Sequence, residues 1–306
     1  MRLALLLAAA VVAASAHAGT ANRAVSAPGL ITALAVDGRT IAYTAGPSRR
    51  DCDRVRMWNL STRRVTTLGR RTACVQTSTG TAVAQLALAG NRALWLHYTG
   101  GNIREWSLWT ATTARPAPRR LAFVSQDVDS PAAPIVVGDG DANRYGQLLP
   151  YAVGRRVIAL APTGQRRFTW DAPARVVGLS TVGGQVAVAQ EGGRVTILEH
   201  HGWVVREESY SGEIDAVRLA FGAVTVQRGR TLERRGEGRR TWRLPAGARL
   251  ADATAEHAFY VARDGIHLLS FSTGRDRVIA SGSRVAVDGP TIAVASARRV
   301  LLLPLG

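Results

Sequence analysis

Val182-Gly183-Gly184-Gln185-Val186-Ala187-Val188-Ala189-Gln190-Glu191-Gly192-Gly193-Arg194-Val195-Thr196-Ile197-Leu198 holds the unit from which the rest of the chain is built. Val186 to Ala189 is an apolar strand entered through Gly183-Gly184, and paired glycines supply the positive φ that a tight hairpin needs. Arg194 to Leu198 is a second strand, opening on a basic residue followed by a β-branched one. The same strand returns as Arg54-Val55-Arg56-Met57-Trp58, Asn102-Ile103-Arg104-Glu105-Trp106 and Arg156-Val157-Ile158-Ala159-Leu160. It returns again as Arg230-Thr231-Leu232-Glu233-Arg234, Gly265-Ile266-His267-Leu268-Leu269 and Arg299-Val300-Leu301-Leu302-Leu303. Between second residues the spacing runs from about 34 to about 54, a period that marks a repeat architecture. The fifth copy is degenerate, with Arg234 where others carry Trp or Leu.

Upstream of most copies lies an apolar strand, a glycine turn and a second apolar strand. Leu34-Ala35-Val36-Asp37-Gly38 leads into Thr40-Ile41-Ala42-Tyr43, and Val287-Asp288-Gly289 into Ile292-Ala293-Val294-Ala295. Downstream, a fourth strand opens on an arginine pair: Arg63-Arg64, Arg119-Arg120, Arg166-Arg167 and Arg239-Arg240. A four-stranded antiparallel unit repeated in series is the β-propeller plan, so the fold class is all-β, with residues 19–306 forming one propeller of about seven blades, or six if the third or fifth unit is misread. The inner strands are near-continuous apolar runs, as required where neighbouring blades bury both sheet faces, whereas a sandwich would alternate more cleanly. Helical periodicity is absent after the first residues, which excludes a helical solenoid. The chain stops after a third strand, and residues 21–27 resemble a fourth, so the N-terminal strand is expected to close the last blade and remove its open edge.

Val36-Asp37-Gly38-Arg39-Thr40-Ile41-Ala42-Tyr43 and Val55-Arg56-Met57-Trp58-Asn59-Leu60 resemble the hairpin and third strand of WD-repeat and TolB-like propellers. The likeness covers nearly the whole mature chain. It implies a scaffold and carries no activity, because function on such folds lives in grafted sites. Trp58 is followed by Asn59 and Trp106 by Ser107, where WD repeats carry Trp-Asp.

Arg2 precedes an apolar run at 3–14 that is too short to span a bilayer, and Ala16-His17-Ala18 places small residues where signal peptidase reads them. A leader over residues 1–18, cleaved after Ala18, and a secreted, periplasmic or extracellular product are therefore expected. No later segment has the roughly 20 uninterrupted apolar residues of a transmembrane helix. Formal net charge is +17, and all 39 basic side chains are Arg. Such a surface attracts polyanions. Cys52 lies between the second and third strands of the first unit and Cys74 in the next connection, so both fall on one face. An oxidising compartment favours a Cys52–Cys74 bridge, contributing about 3 kcal/mol in the chain-entropy model.

The face carrying the connections between blades gathers the longest irregular stretches, at 46–53, 70–81 and 124–134, and a ligand site would sit there near the channel mouth. Arg63, Arg64, Arg119, Arg120, Arg166, Arg167, Arg239 and Arg240 form a basic rim on the opposite face. Guanidinium forks suit phosphate and carboxylate, while charge on outermost strands also simply prevents edge pairing. Asp139, Asp141 and Asn143 have the alternate spacing of a calcium loop, with Asp127 and Asp129 nearby, but Arg144 stands where an EF-hand needs glycine and no Glu closes the loop. Calcium is thus the one cofactor weighed, against an ordinary polar turn. His200-His201-Gly202 reads as a turn, because adjacent strand residues point to opposite faces. The seven Trp residues read as packing anchors, with Trp109 the best candidate for an exposed aromatic. Asn59-Leu60-Ser61 is a glycosylation sequon inside a predicted strand.

No nucleophile elbow, zinc-binding His-Glu helix, phosphate loop or dinucleotide fingerprint occurs. The leading expectation is a monomeric, non-enzymatic exported propeller that binds a protein partner or an anionic polymer of the cell envelope. Nucleic acid is disfavoured, since no aromatic platform is interleaved with the basic residues. The alternatives are an exported hydrolase or lyase with carboxylates converging at the channel mouth, and a TolB-like partner in an envelope complex.

Overall fold

A computed structural model describes residues 24–44, 54–70, 80–127, 133–141 and 147–304. The expected leader, Cys52, Cys74, Asp129 and Asn143 lie outside the described residues. Among the described residues the chain forms seven four-stranded antiparallel sheets, and six of them take their strands in chain order. Blade 1 runs from Leu34–Asp37 to Val65–Leu68, blade 2 from Thr81–Ala89 to Arg119–Asp127 and blade 3 from Ile135–Val137 to Arg166–Asp171. Blade 4 runs from Val176–Val182 to Val204–Ser209, blade 5 from Ala216–Ala220 to Arg239–Arg243 and blade 6 from Arg249–Ala253 to Asp276–Ala280.

The seventh sheet takes three strands from the C-terminal end of the chain, Arg284–Asp288, Thr291–Ser296 and Arg299–Leu303, and its fourth from Ala24–Ser26. Ala24 pairs with Leu301, Val25 with Val300 and Ser26 with Arg299. The N–H of Ala27 extends the pairing to the Arg298 carbonyl at 2.7 Å, and that of Ile31 to the Ala297 carbonyl at 2.9 Å. The expected ring closure is therefore present.

No single core holds the molecule together. Among the described residues seven apolar clusters lie instead in the seams between consecutive blades, and the second strand of blade 4 shows why. Val186 and Val188 join the seam with blade 3, beside Val157 and Phe168. Ala187 and Ala189 join the seam with blade 5, beside Val217 and Val224. Alternate residues of one strand are buried on opposite sides, which is the physical cause of the unbroken apolar runs in the sequence.

The hairpin aspartates have a second task. The Gly38 N–H donates to Asp288 Oδ2 at 2.5 Å, and the Gly90 N–H to Asp37 Oδ2, so the turns of blades 7, 1 and 2 are strapped in sequence. Gly38 has φ 56° with open space where a Cβ would stand, so backbone conformation rather than crowding demands glycine there.

Two readings of the strands are corrected. The third strand of blade 5 is Thr231–Arg235, so Leu232, opposite Gln227, matches Val195, opposite Ala189, and Glu233 matches Thr196. The fifth copy as read from the sequence, Arg230 to Arg234, is one residue out of register, and with a side-chain period of two such a slip exchanges the faces. In its true place Glu233 is fully buried, and Arg234 lies over the Phe271 ring at 4.6 Å. Asn59 ends its strand rather than lying inside one, and its side chain accepts the N–H groups of Ser61 and Thr62, both at 2.9 Å.

Candidate binding surfaces around the central channel

Antiparallel order puts the hairpins between first and second strands, and the turns between third and fourth, on one face of the ring. The other face carries the connections between blades and the turns between second and third strands. First strands of all seven blades line a central channel of about 1290 Å³.

Polar groups in the channel are spent on joining blades. Gln85 Oε1 accepts the Val137 N–H at 2.6 Å, from blade 2 to blade 3. Ser180 Oγ donates to Asp139 Oδ2 at 2.6 Å and accepts the Leu219 N–H at 2.9 Å, so it links blades 3, 4 and 5. Asp252 accepts the Ala253 N–H at 2.8 Å and, across the seam to blade 7, the Val287 N–H at 2.7 Å. Burial, and secondly the negative charge of Asp139, push the Asp252 carboxyl up to about 7, outweighing Arg218 and the two backbone donors.

The folded protein thus holds the Asp252 proton more tightly than the unfolded chain does. That contribution to stability is complete below the unfolded value and is lost as pH rises through about 7. Asp252→Asn cannot ionise, so variant Tm minus wild-type Tm should become roughly 5 °C more positive between pH 4 and pH 7.5. Paired thermal melts across that range test the assignment, and a flat difference would refute it.

All eight rim arginines are exposed on the hairpin face. They stand on blades 1, 2, 3 and 5, and the structure makes them contiguous only on blades 2 and 3. There Arg92, held below its ordinary value first by burial, also feels Arg119 and Arg115, while Arg119 and Arg166 both act on Tyr151. Arg92 spans the seam, its Nε donating to the Pro162 carbonyl at 2.6 Å and its Nη2 to the Thr163 carbonyl at 2.9 Å. Arg120 stacks over Phe123 at 5.0 Å. On blade 5, Arg239 is drawn into an ion pair with buried Glu233 at 2.9 Å, and Arg240 caps the Phe271 carbonyl at 2.8 Å. Arg63 and Arg64 stand apart on blade 1, where Arg63 adopts φ 59° ahead of the fourth strand.

Trp109 is half-buried in the seam between blades 1 and 2, so the expected exposed aromatic is misplaced. Trp203, 68% exposed on blade 4, and Phe221, 66% exposed on blade 5, hold that role on the hairpin face. Trp203 follows the turn that contains His200 and His201, and the His201 ring lies 5.6 Å from it. Asp139 and Asp141 each bond to blade 4, through Ser180 and through the Gly183 N–H at 2.5 Å. Among the described residues no three His, Cys, Asp or Glu side chains gather as a metal centre would require.

The sequence reading missed Arg218, Arg249 and Arg284, which line the channel from blades 5, 6 and 7. The available signal was a basic residue opening the first strand of two consecutive units, Arg249-Leu250 and Arg284-Val285.

No protein-family model and no curated protein matches the chain. Solved structures do match. A chain of the mitotic checkpoint complex superposes with a TM-score of 0.59 at 15% identity, over 100% of this chain and 98% of that one. The WD40 β-propeller domain of Doa1 gives 0.58 at 10% identity, over 93% and 96%. Sqt1 of Saccharomyces cerevisiae gives 0.51 at 10% identity, over 93% and 99%. At these identities the likeness establishes the fold alone, a seven-bladed β-propeller.

Proposed function

We propose that this chain is a non-enzymatic propeller scaffold, acting outside the cytoplasm, that binds an anionic polymer of the cell envelope through the hairpin face of blades 2 and 3. The observation that carries this is the contiguous field of Arg92, Arg115, Arg119 and Arg166. Among the described residues no carboxylate is ion-paired with Arg115, Arg119, Arg120, Arg166 or Arg167. Guanidinium forks held at blade spacing present repeated charge to a repeated anion. The leader-like residues 1–18 support the compartment, and the use of channel carboxylates as straps supports a scaffold over a hydrolase.

A heparin matrix provides the test, because retention by exposed charge weakens with salt. Arg119→Gln, Arg120→Gln, Arg166→Gln and Arg167→Gln combined should elute at clearly lower salt than wild type. A control with the same net charge, carrying Arg194→Gln, Arg243→Gln, Arg277→Gln and Arg298→Gln, should elute near wild type. Equal elution of the two variants would reduce the rim to bulk charge, and salt-independent retention would end the polyanion reading.

The exposed pair Trp203 and Phe221 favours a second reading, a protein docking on the hairpin face of blades 4 and 5. Trp203→Ser with Phe221→Ser would weaken such a partner and leave heparin elution unchanged.

A further inference from the structure

The loop-face mouth of the channel carries an arrangement of charge that the rim does not account for. Arg249 and Arg284 are the first residues of the first strands of blades 6 and 7, and Arg218 lies two residues into that of blade 5. Three consecutive blades therefore each deliver a first-strand arginine to the channel wall, and Arg263 of blade 6 lines it as well.

Two of them are held in place by backbone. Arg218 donates from Nε to the Ala251 carbonyl at 2.7 Å and from Nη1 to the Val217 carbonyl at 2.7 Å. Arg284 repeats the pattern one seam on, from Nε to the Thr32 carbonyl at 2.8 Å and from Nη1 to the Ser283 carbonyl at 2.6 Å. Each guanidinium is thus held from both flanks, at Nε and at Nη1, and neither makes a further hydrogen bond through Nη2 among the described residues. Uncharged carbonyls fix the forks without neutralising them.

The acids at this mouth are engaged elsewhere. Asp215 accepts the Gly229 N–H at 2.5 Å, and Asp264, beside Arg263, accepts from His267 Nε2 at 2.9 Å. Among the described residues no carboxylate forms an ion pair with Arg218, Arg249 or Arg284. Burial, and secondly the like charge of Arg249, hold Arg284 below its ordinary value. Like charges are therefore brought together, partly out of water. The carboxyl that acts on Arg218, Asp252, is committed to the Ala253 and Val287 N–H groups and pushed up to about 7 by burial and by Asp139. An oxyanion between them would relieve the repulsion and meet donors already oriented.

We propose that the loop-face mouth is an oxyanion site in which Arg249 and Arg284, backed by Arg218, take the carboxylate or phosphate group of a small ligand entering the channel. The site lies on the face opposite the rim and does not depend on polymer binding there.

Calorimetric titration of the full chain with inorganic phosphate and, separately, with citrate would test it, against sodium chloride at matched ionic strength. Saturable binding of at least one of the two is expected, at a stoichiometry of one. Binding of phosphate alone or citrate alone would identify the group the site prefers. Arg249→Gln should weaken binding about tenfold, the scale of one charge-assisted contact. The Arg249 side chain makes no hydrogen bond among the described residues, so that variant should keep the strand pairing with Val261 and fold. Arg284→Lys keeps the charge but loses the fork, and should weaken binding by a similar factor. The rim variant should bind these probes like wild type, which separates failure of this site from failure of the polymer reading. Matching heats from chloride, or unchanged affinity in both mouth variants, would overturn the proposal.

Discussion

A chain beginning at residue 28 should lose the closed ring, aggregating or melting at least about 10 °C below one beginning at residue 23. The closing strand covers the edge of Arg299–Leu303. Without it the unpaired N–H and C=O groups of that strand face solvent, and an open apolar edge recruits other chains. Val25 also packs in the seam between blades 7 and 1, beside Ile41, Trp58 and Val300, so deletion opens that seam as well. Local loss of a few kcal/mol is a large fraction of the stability of any domain, and each kcal/mol shifts Tm by about 2–4 °C at this size. Size-exclusion chromatography and thermal melts of the two truncations decide the matter. A monomeric short form melting within 2 °C of the longer one would refute the closure argument.

Glu233→Ala should be the most damaging single substitution, costing about 3–5 kcal/mol. The Glu233 side chain has no exposure, yet it meets Arg228 at 2.7 Å, Arg235 at 2.8 Å and Arg239 at 2.9 Å. Arg228 and Arg235 reach on to the last residues of blade 4, with Arg235 donating to the Ser209 carbonyl at 2.9 Å and lying over Tyr210 at 4.0 Å. Removing the carboxylate leaves three cations converging on a buried void and loosens the seam between blades 4 and 5. The cost of breaking such a cluster exceeds the net value of forming it, because the partners stay desolvated. Burial raises the Glu233 carboxyl, but hydrogen bonds from Arg235 and Arg228 and the nearby positive charge prevail and hold it below the usual Glu range. Its contribution is therefore present above the unfolded value and lost as pH falls through the folded one. Denaturant melts should show a gap between wild type and Glu233→Ala that is full at pH 7 and narrows below about pH 4. A gap under 1 kcal/mol at pH 7 would overturn this reading of the cluster.

The blade plan was legible because its cause is local. A strand buried on both faces must be apolar at every position, and Val186 to Ala189 shows this in four consecutive residues. Register was less legible where charge replaced that pattern. In blade 5 only Leu232 marks the buried face of the third strand, so the reading slipped by one residue there and misassigned Glu233. Exposure of Trp203 and burial of Trp109 were illegible for a related reason. Whether an aromatic faces a seam or solvent depends on what the next blade places against it.

From composition and periodicity alone followed the all-β class, a ring of six or seven radial sheets and closure by the N-terminal strand, since each is imposed by pairing and burial within a few residues. Only the tertiary structure decided which charges meet. Asp288 and Gly38, 250 residues apart, touch because the ring closes. Arg218, Arg249 and Arg284 share one mouth because successive first strands converge on one axis. Electrostatic grouping depends on distances across blades, and those are set by the geometry of the ring rather than by neighbours along the chain.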